Sequence, residues 1–312
     1  MSRAFLGAVL FGLMLAAVGS AAQFEVTQDA EGVTVKADGK LVTRYLIKSG
    51  PKPILWPLVS PSGKELTRGY PMRPALPFEA QDHVHQRSLW FTHGNVNGVD
   101  FWSENDKHGD IVHREFVKLS GGACATIVTR NDWIGPDGKK VCEDERSLVF
   151  GANDQVRWFD ADLRVKATEG PVTFGDTKEG TFATRVWETI KVDAKKGGKI
   201  VNSEGLTDSA AWGKRAAWVD YYGPAEDQTV GIAIMNHPSS YGFPSHWHVR
   251  TYGLFAANPF GLRDFDGPSS ADGAHKIEAG SEMLLRYRVV LHDGTTENAA
   301  IAKIYEEYAK SP

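Results

Sequence analysis

The sequence predicts an all-β fold: a large antiparallel β-sandwich with a short C-terminal helix. Short segments of alternating polar and apolar residues recur along the chain, separated by clusters of glycine, proline, asparagine and aspartate. Almost no helical periodicity lies between these segments, which favours a sandwich or barrel over a parallel sheet with crossover helices. No sequence repeat of about 20–50 residues is present, so a solenoid or propeller is not indicated.

The first 22 residues predict a secretory signal peptide. Arg3 supplies a positive start, the run 4–18 is almost entirely apolar, and the small residues up to Ala22 suit cleavage there. The apolar run of about 15 residues is shorter than the roughly 20 that a spanning helix needs, although an uncleaved anchor is the alternative. We therefore expect a periplasmic or secreted protein whose single domain, residues 23–312, begins near Gln23.

The predicted strands follow in chain order. They are Phe24–Val26, Val33–Val35, Leu41–Ile47, Ser88–Thr92, Ile111–Leu119, Ala123–Arg130, Lys140–Phe150, Gln155–Val165, Val172–Phe174, Ala183–Val192, Val230–Met235 and Glu282–Leu291. Residues 50–78 contain seven prolines and are predicted to form an irregular excursion that frames a cleft. After Asp293, apolar residues at 300, 301, 304, 305 and 308 have helical spacing and predict the terminal helix.

Cys124 and Cys142 are predicted to be free thiols. Both lie in a predicted hairpin, where Cys142 is expected opposite residue 131 or 132. Cys124 is then about 25 Å away along the ladder, whereas a disulfide needs Cα atoms within about 7 Å.

A doubled pattern is the main functional signal. Residues 83–87 read His-Val-His-Gln-Arg and residues 246–250 read His-Trp-His-Val-Arg, so both are His-x-His-x-Arg. One copy is expected only about 0.02 times by chance in this composition. In a strand, positions i, i+2 and i+4 share a face, so each segment is predicted to present two imidazoles and a guanidinium together.

Further candidate site residues surround the doubled pattern. His93, Asn95 and Trp102 follow the first copy, and Glu179 and Arg185 flank a glycine-containing segment elsewhere in the chain. The chain has nine tryptophans, whose flat rings suit either core packing or stacking against a ligand.

The same stretches carry a resemblance to a bacterial family. They are residues 83–102, 175–187, 202–205, 212–221, 231–238 and 247–261. They resemble an uncharacterised family often labelled "methane oxygenase PmoA", although Gln86 stands where that family is expected to have a histidine. A methane oxygenase subunit spans the membrane several times, and this chain has no such segments after its signal. The resemblance implies instead a sandwich similar to the galactose-mutarotase supersandwich, secreted by polysaccharide-degrading bacteria.

Three hypotheses follow for the site. The first is a carbohydrate-active enzyme, such as a glycoside hydrolase, lyase or epimerase, with His85, His248 and Glu179 as acid–base residues. Its predicted substrate-binding residues are His83, Arg87, His93, Asn95, Trp102, Arg185, His246, Trp247 and Arg250, with Arg185 or Arg250 as an anion clamp.

The second hypothesis is a divalent metal site built from His83, His85 and His93, and the third is a noncatalytic sugar-binding protein. The expected partner is a small molecule or oligosaccharide. Nucleic acid is not expected because 35 basic residues face 39 acidic ones, and no membrane partner is expected after signal cleavage.

Overall fold

The computed structural model describes residues 22–153 and 155–312. The predicted signal peptide falls, except for Ala22, outside the described residues. None of the helices within these ranges is long and apolar enough to cross a membrane.

The described chain is dominated by strands. In chain order they are β1 (Phe24–Asp29), β2 (Gly32–Ala37), β3 (Lys40–Ser49), β4 (Lys52–Leu58), β5 (Leu89–His93), β6 (Asp110–Ser120), β7 (Ala125–Ile134), β8 (Lys140–Ala152), β9 (Val156–Lys166), β10 (Val172–Phe174), β11 (Gly180–Arg185), β12 (Lys199–Asn202), β13 (Trp218–Ala225), β14 (Gln228–Asn236), β15 (His246–Val249), β16 (Leu254–Asn258), β17 (His275–Ile277) and β18 (Glu282–Asp293). The described residues also form two helices, α1 (Leu262–Phe265) and α2 (Ile301–Tyr308), and two single 3-10 turns at 192–194 and 208–211.

The strands form two large antiparallel sheets, which confirms the predicted fold class. The first sheet has the order β1-β2-β3-β4-β5-β11-β16-β15, and the second has the order β12-β13-β14-β18-β9-β8-β7-β6. A small ribbon pairs β10 with β17. Strands β1 and β15 are therefore the two edges of the first sheet.

Period-two alternation fills the core between the sheets. In β9, Phe159, Ala161, Leu163 and Val165 are buried in the main apolar cluster, while the residues between them are only partly buried. Burying one such side chain contributes about 1.5–3 kcal/mol, so this shared interior dominates stability.

The outer face of the first sheet is also covered, and this cover creates the site. Ile54 of β4, Trp90 of β5, Ala183 of β11 and Ala256 of β16 form a second apolar cluster there with Trp102, which comes from the loop after β5. The segment 59–88 and the loop 94–109 supply the polar residues above this cluster. Side chains on this outer face reach the cleft described below.

The predicted excursion at residues 50–78 is partly wrong, because it begins with strand β4. Pro53 and Pro57 obscured the strand in the sequence, since proline cannot donate to a ladder. Strand β4 pairs with β5 only at Ile54–Trp90 and Leu55–Leu89. The ladder between these two strands therefore needs few backbone N–H groups from β4. Strands β12, β13, β16 and β17 were not predicted; β16 is buried at every position and therefore shows no alternation.

The C-terminal helix and the free thiols are confirmed. Helix α2 places Ile301 and Tyr308 in a third apolar cluster with Trp218 and Met235, on the outer face of the second sheet. Cys142 pairs in register with Trp133, one residue beyond the expected position, and both cysteines are free. Burial raises the pKa of the Cys142 thiol, which makes it unreactive.

Candidate functional site

An open cleft of about 380 Å³ lies at the outer face of the first sheet near its β15 edge. Its lining combines histidines, charged groups and aromatic rings. The lining residues are His83, His85, Gln86, Gly94, Asp100, Trp102, Ser103, Thr177, Lys178, Glu179, His248, Arg250 and Tyr252. The cleft thus draws on both His-x-His-x-Arg segments, which are 163 residues apart in the sequence.

The first His-x-His-x-Arg segment is a turn, so the prediction of a strand at 83–87 was wrong. His83 has a positive φ of 45°, and the backbone N–H of Gln86 donates to the His83 carbonyl at 2.9 Å. His83 and His85 nevertheless lie together, with ring centroids 5.7 Å apart. The turn sends Arg87 elsewhere: its guanidinium donates to both oxygens of Glu104 at 2.7 Å, and it does not line the cleft.

A buried arginine shapes this turn. The Arg68 guanidinium is fully buried and donates to five backbone carbonyls, those of residues 70, 80, 82, 83 and 86. It also donates to the carboxylate of Asp82 at 2.8 Å. Burial lowers the pKa of Arg68 to about 10, so the side chain stays charged at neutral pH. One side chain therefore fixes the backbone on both sides of His83.

The Arg185 side chain already interacts with other groups of the protein and does not reach the cleft. It donates to Asp82 at 3.0 Å and to the Gln86 side chain, and its guanidinium carbon lies 4.8 Å from the centre of the Tyr252 ring. Burial alone raises the pKa of Asp82, but Arg185, His83 and Arg68 outweigh it and hold that pKa at about 2. Arg185 is thus held by Asp82 and Gln86 and does not line the cleft, whereas the prediction had it facing a ligand.

His85 is a neutral base at the cleft. Its ring centroid lies 6.1 Å from that of Trp102, and no protein hydrogen-bond partner is found for it among the described residues. Burial, followed by the charges of Lys52 and His83, lowers the pKa of His85 to about 4. The imidazole is therefore uncharged at neutral pH, and one nitrogen carries a free lone pair.

The second His-x-His-x-Arg segment is a strand, as predicted, and strand alternation divides its residues. His248 pairs in register with Ala256 on the outer face. Trp247 points the opposite way, is fully buried in the main core, and donates through Nε1 to the Ala216 carbonyl at 2.9 Å. The expectation that Trp247 faces a ligand was therefore wrong, since neighbours in a strand cannot share a face.

His248 has a defined tautomer. Its Nδ1 lies 2.9 Å from the Lys178 carbonyl, which only accepts, so Nδ1 carries the proton and Nε2 keeps its lone pair. Burial lowers the pKa of His248 to about 4, against the opposing effect of that hydrogen bond. His246, two residues earlier, lies outside the cleft lining: it stacks on Phe265 with centroids 5.2 Å apart and contacts Asp266 at 3.1 Å.

His93 and Asn95 lie away from the cleft. In β5, Trp90 faces outward and His93, three residues later, faces the interior, where its Nε2 donates to the Gly175 carbonyl at 2.8 Å. Asn95 is exposed and accepts from Gly98 at 2.9 Å, which closes a turn. The predicted metal set of His83, His85 and His93 is therefore not assembled. Within residues 22–153 and 155–312, no group of three His, Cys, Asp or Glu side chains is spaced to hold a metal ion.

Glu179 lines the cleft, as predicted, beside a cation. Its side chain is 38% exposed, and its carboxylate lies 3.4 Å from the Lys178 ammonium. The lack of a side chain at Gly94 permits this packing, since a Cβ there would lie 2.9 Å from the Glu179 Cβ. Glu179 thus places a solvent-accessible carboxylate in the same cleft as His85 and His248.

Several cleft residues were not predicted. Tyr252 stacks on His83 with centroids 5.4 Å apart and an interplanar angle of 10°. Asp100 accepts from the backbone N–H groups of Trp102 and Ser103 and from the Ser103 hydroxyl. Tyr252 continues the period-two series after His248 and Arg250, and that continuation was the available signal in the sequence.

Comparison with known proteins places the chain in a family. Residues 32–306 match a family of unknown function, DUF6807, and the chain belongs to it. The description of that family names no activity, so the methane oxygenase label is not supported. No curated protein matches the chain.

Several solved structures are similar in fold at low identity. An α-galactosidase from Lactobacillus brevis has a TM-score of 0.46 and 9% identity, over 93% of this chain and 42% of that protein. A glycoside hydrolase family 97 enzyme from a Pseudoalteromonas species has a TM-score of 0.35 and 11% identity, over 88% of this chain and 34% of that protein. A galactose mutarotase related enzyme from Lactobacillus acidophilus has a TM-score of 0.31 and 9% identity, over 88% of this chain and 98% of that protein. The chain spans less than half the length of the first two proteins.

Proposed function

We propose that this protein binds a monosaccharide, or the end of a short oligosaccharide, in the cleft and transfers a proton to or from it. His248 is the base, and His85 and Glu179 are the further proton-handling groups. Reactions that begin with such a transfer include ring opening of a sugar, epimerisation and β-elimination.

The state of His248 carries this proposal. Its Nδ1 proton is held by the Lys178 carbonyl at 2.9 Å, and the resulting Nε2 lone pair belongs to a side chain that lines the cleft. A pKa of about 4 keeps the ring neutral at physiological pH, as a proton acceptor must be. A fixed tautomer lowers the reorganisation that proton transfer requires.

The walls of the cleft suit a sugar. Trp102, which is almost fully buried, and Tyr252, which is partly buried, give the lining apolar ring surface, and aromatic rings pack against the C–H surfaces of sugars. Polar groups at the rim, including Ser103 and Thr177, complement hydroxyl groups. This aromatic lining also fits a protein that binds a sugar without converting it, which is the second candidate function.

A hydrolase that uses paired carboxylates is less well supported. Such an enzyme needs one protonated carboxyl at the reaction pH. The Asp82 carboxylate is committed to Arg68, Arg185 and His83, with a pKa of about 2, and Asp100 accepts from four donors of its own loop. Glu179 is then the remaining accessible carboxylate of the lining, and it is paired with Lys178.

A panel of hexoses, uronic acids and short oligosaccharides tests the proposal in two steps. Calorimetric titration first identifies binders, and proton NMR in D₂O then detects exchange of C–H protons, anomer interconversion or new products. Binding with turnover is the expected result. Binding without any of these changes would leave the noncatalytic candidate, and no binding across the panel would contradict both.

We also propose that the protein is exported and cleaved near Ala22. The support is the N-terminal sequence, with Arg3 before an apolar run of about 15 residues and small residues at the end. Mass spectrometry of the periplasmic fraction should give a chain that begins near Gln23. Recovery of the uncleaved chain in membranes would contradict export by this route.

A further inference from the structure

Two cationic side chains line the cleft, Lys178 and Arg250, and they differ in whether a carboxylate lies nearby. Lys178 has Glu179 at 3.4 Å and Asp264 at 3.9 Å. Within the described residues, the Arg250 guanidinium has no hydrogen-bond acceptor and no carboxylate within ion-pair distance, although it lines the cleft. Arg250 is an exposed residue, but its side chain is held in place by neighbouring rings.

Two aromatic rings position Arg250. Its guanidinium carbon lies 5.7 Å from the centre of the Tyr252 ring and 5.9 Å from that of Trp212. Cation–π contacts orient the planar group while leaving its N–H donors free for a ligand. Arg250 also directly follows β15 and is two residues from His248, so a group bound by Arg250 lies beside the proposed base.

The carboxylates around the cleft already have partners within the protein, and that of Glu179 lies 3.4 Å from the Lys178 ammonium. Asp82 and Asp100 are used by protein donors. A planar guanidinium without a counter-ion suits a planar anion that accepts two parallel hydrogen bonds.

On the basis of the proposed function, we propose that the sugar carries a carboxylate, as a uronic acid or a uronate-ended oligosaccharide does, and that Arg250 binds that carboxylate. The two oxygens accept from the guanidinium, and the sugar ring extends toward Tyr252 and Trp102. Arg185 was the other arginine predicted to bind an anion. It is not assigned to the carboxylate of the sugar, because its guanidinium already donates to Asp82 and Gln86.

Calorimetry with four probes tests the inference: galacturonate, glucuronate, galactose, and the methyl ester of galacturonic acid. The ester keeps the shape of the acid without its charge. Wild-type protein should bind at least one uronate about tenfold or more tighter than the matching neutral probes, since a charge-assisted pair contributes that much. Raising the salt concentration should narrow the difference.

Substitution then assigns the preference to Arg250. Arg250→Gln should abolish the preference while keeping weak neutral-sugar binding, and Arg250→Lys should keep only part of it because the planar fork is lost. Lys214→Gln, an equal charge change at an exposed residue outside the lining, should keep it. Thermal unfolding of each variant checks the fold.

The two proposals fail differently. Equal binding of uronates and neutral sugars, or a uronate preference that survives Arg250→Gln, would overturn this inference and leave the sugar-binding function standing. Absence of binding by all four probes and by the larger sugar panel would overturn the proposed function itself.

Discussion

The two His-x-His-x-Arg segments have the same residue pattern and different backbones. Residues 83–87 form a turn held by buried Arg68, whereas residues 246–250 form the edge strand β15 and the position after it. The turn delivers both of its histidines to the cleft and turns its arginine away. The strand delivers one histidine and its arginine. The shared pattern therefore supplies the chemistry, while the surrounding contacts decide which members of it are used.

Each segment has one residue between its two histidines, and substitution of that residue should change the stability of the protein very differently in the two segments. Trp247 is fully buried in the main core, while Val84, at the same place in the other segment, is 39% exposed. Trp247→Ala should destabilise the protein by about 4 kcal/mol, because it removes a large core side chain and leaves a cavity. Val84→Ala should cost about 0.5 kcal/mol or less. Chemical denaturation measures both, and equal costs would mean that the segments do not differ in this way.

Removal of Arg68 should affect the turn and spare the strand. Arg68→Ala leaves five carbonyls without this donor and removes one of the donors to the Asp82 carboxylate, which should cost about 3 kcal/mol or more. Arg114→Ala, which breaks a half-exposed pair with Asp132, should cost about 1 kcal/mol or less. NMR signals of His83 and His85 should move in Arg68→Ala more than those of His248. A uniform disturbance of all three would argue against Arg68 as a local organiser.

The two histidines of the strand should differ in turnover. His248→Asn should lower turnover of a substrate found in the panel by about 100-fold or more, because the proposed base is lost. His246→Gln keeps a donor toward Asp266 and should leave turnover within about twofold, since His246 does not line the cleft. Comparable losses in both variants would show that β15 acts only as a scaffold.

The pH dependence of stability should be similar for both segments. His85 and His248 have pKa values of about 4 in the folded protein, against about 6.5 when unfolded, so the unfolded state binds more protons between these values. Stability should therefore fall as pH decreases from about 6.5 to about 4. Replacing either histidine with glutamine should flatten this slope by up to about 1.4 kcal/mol per pH unit.

Urea unfolding at several pH values between about 4.5 and 7 measures that slope. His93 also has a pKa of about 4, so it should contribute to the slope of stability against pH in the wild type and in each variant. An unchanged slope in both His85→Gln and His248→Gln would contradict the assignment of neutral, buried imidazoles to the cleft.

The sequence predicted the sandwich and the residue types of the site better than the orientation of single side chains. Alternation and turn spacing were sufficient for strands such as β9, because one face of each is buried. Orientation failed for Trp247 and His93, although strand periodicity already places neighbours of His248 on the opposite face. The turn at 83–87 could not be predicted, since Arg68 forms it through contacts with backbone carbonyls, which leave no residue-type signal.

His83, His85 and His248 are proposed to share one ligand site from which His93 and His246 are absent. Titration of ¹⁵N-histidine-labelled protein with galacturonate, or with the tightest binder from the panel, tests this by NMR of the imidazole nitrogens. Signals of His83, His85 and His248 should shift with one common dissociation constant, while those of His93 and His246 should stay nearly constant. Shifts confined to one segment, or saturating at different ligand concentrations in the two, would contradict a shared site.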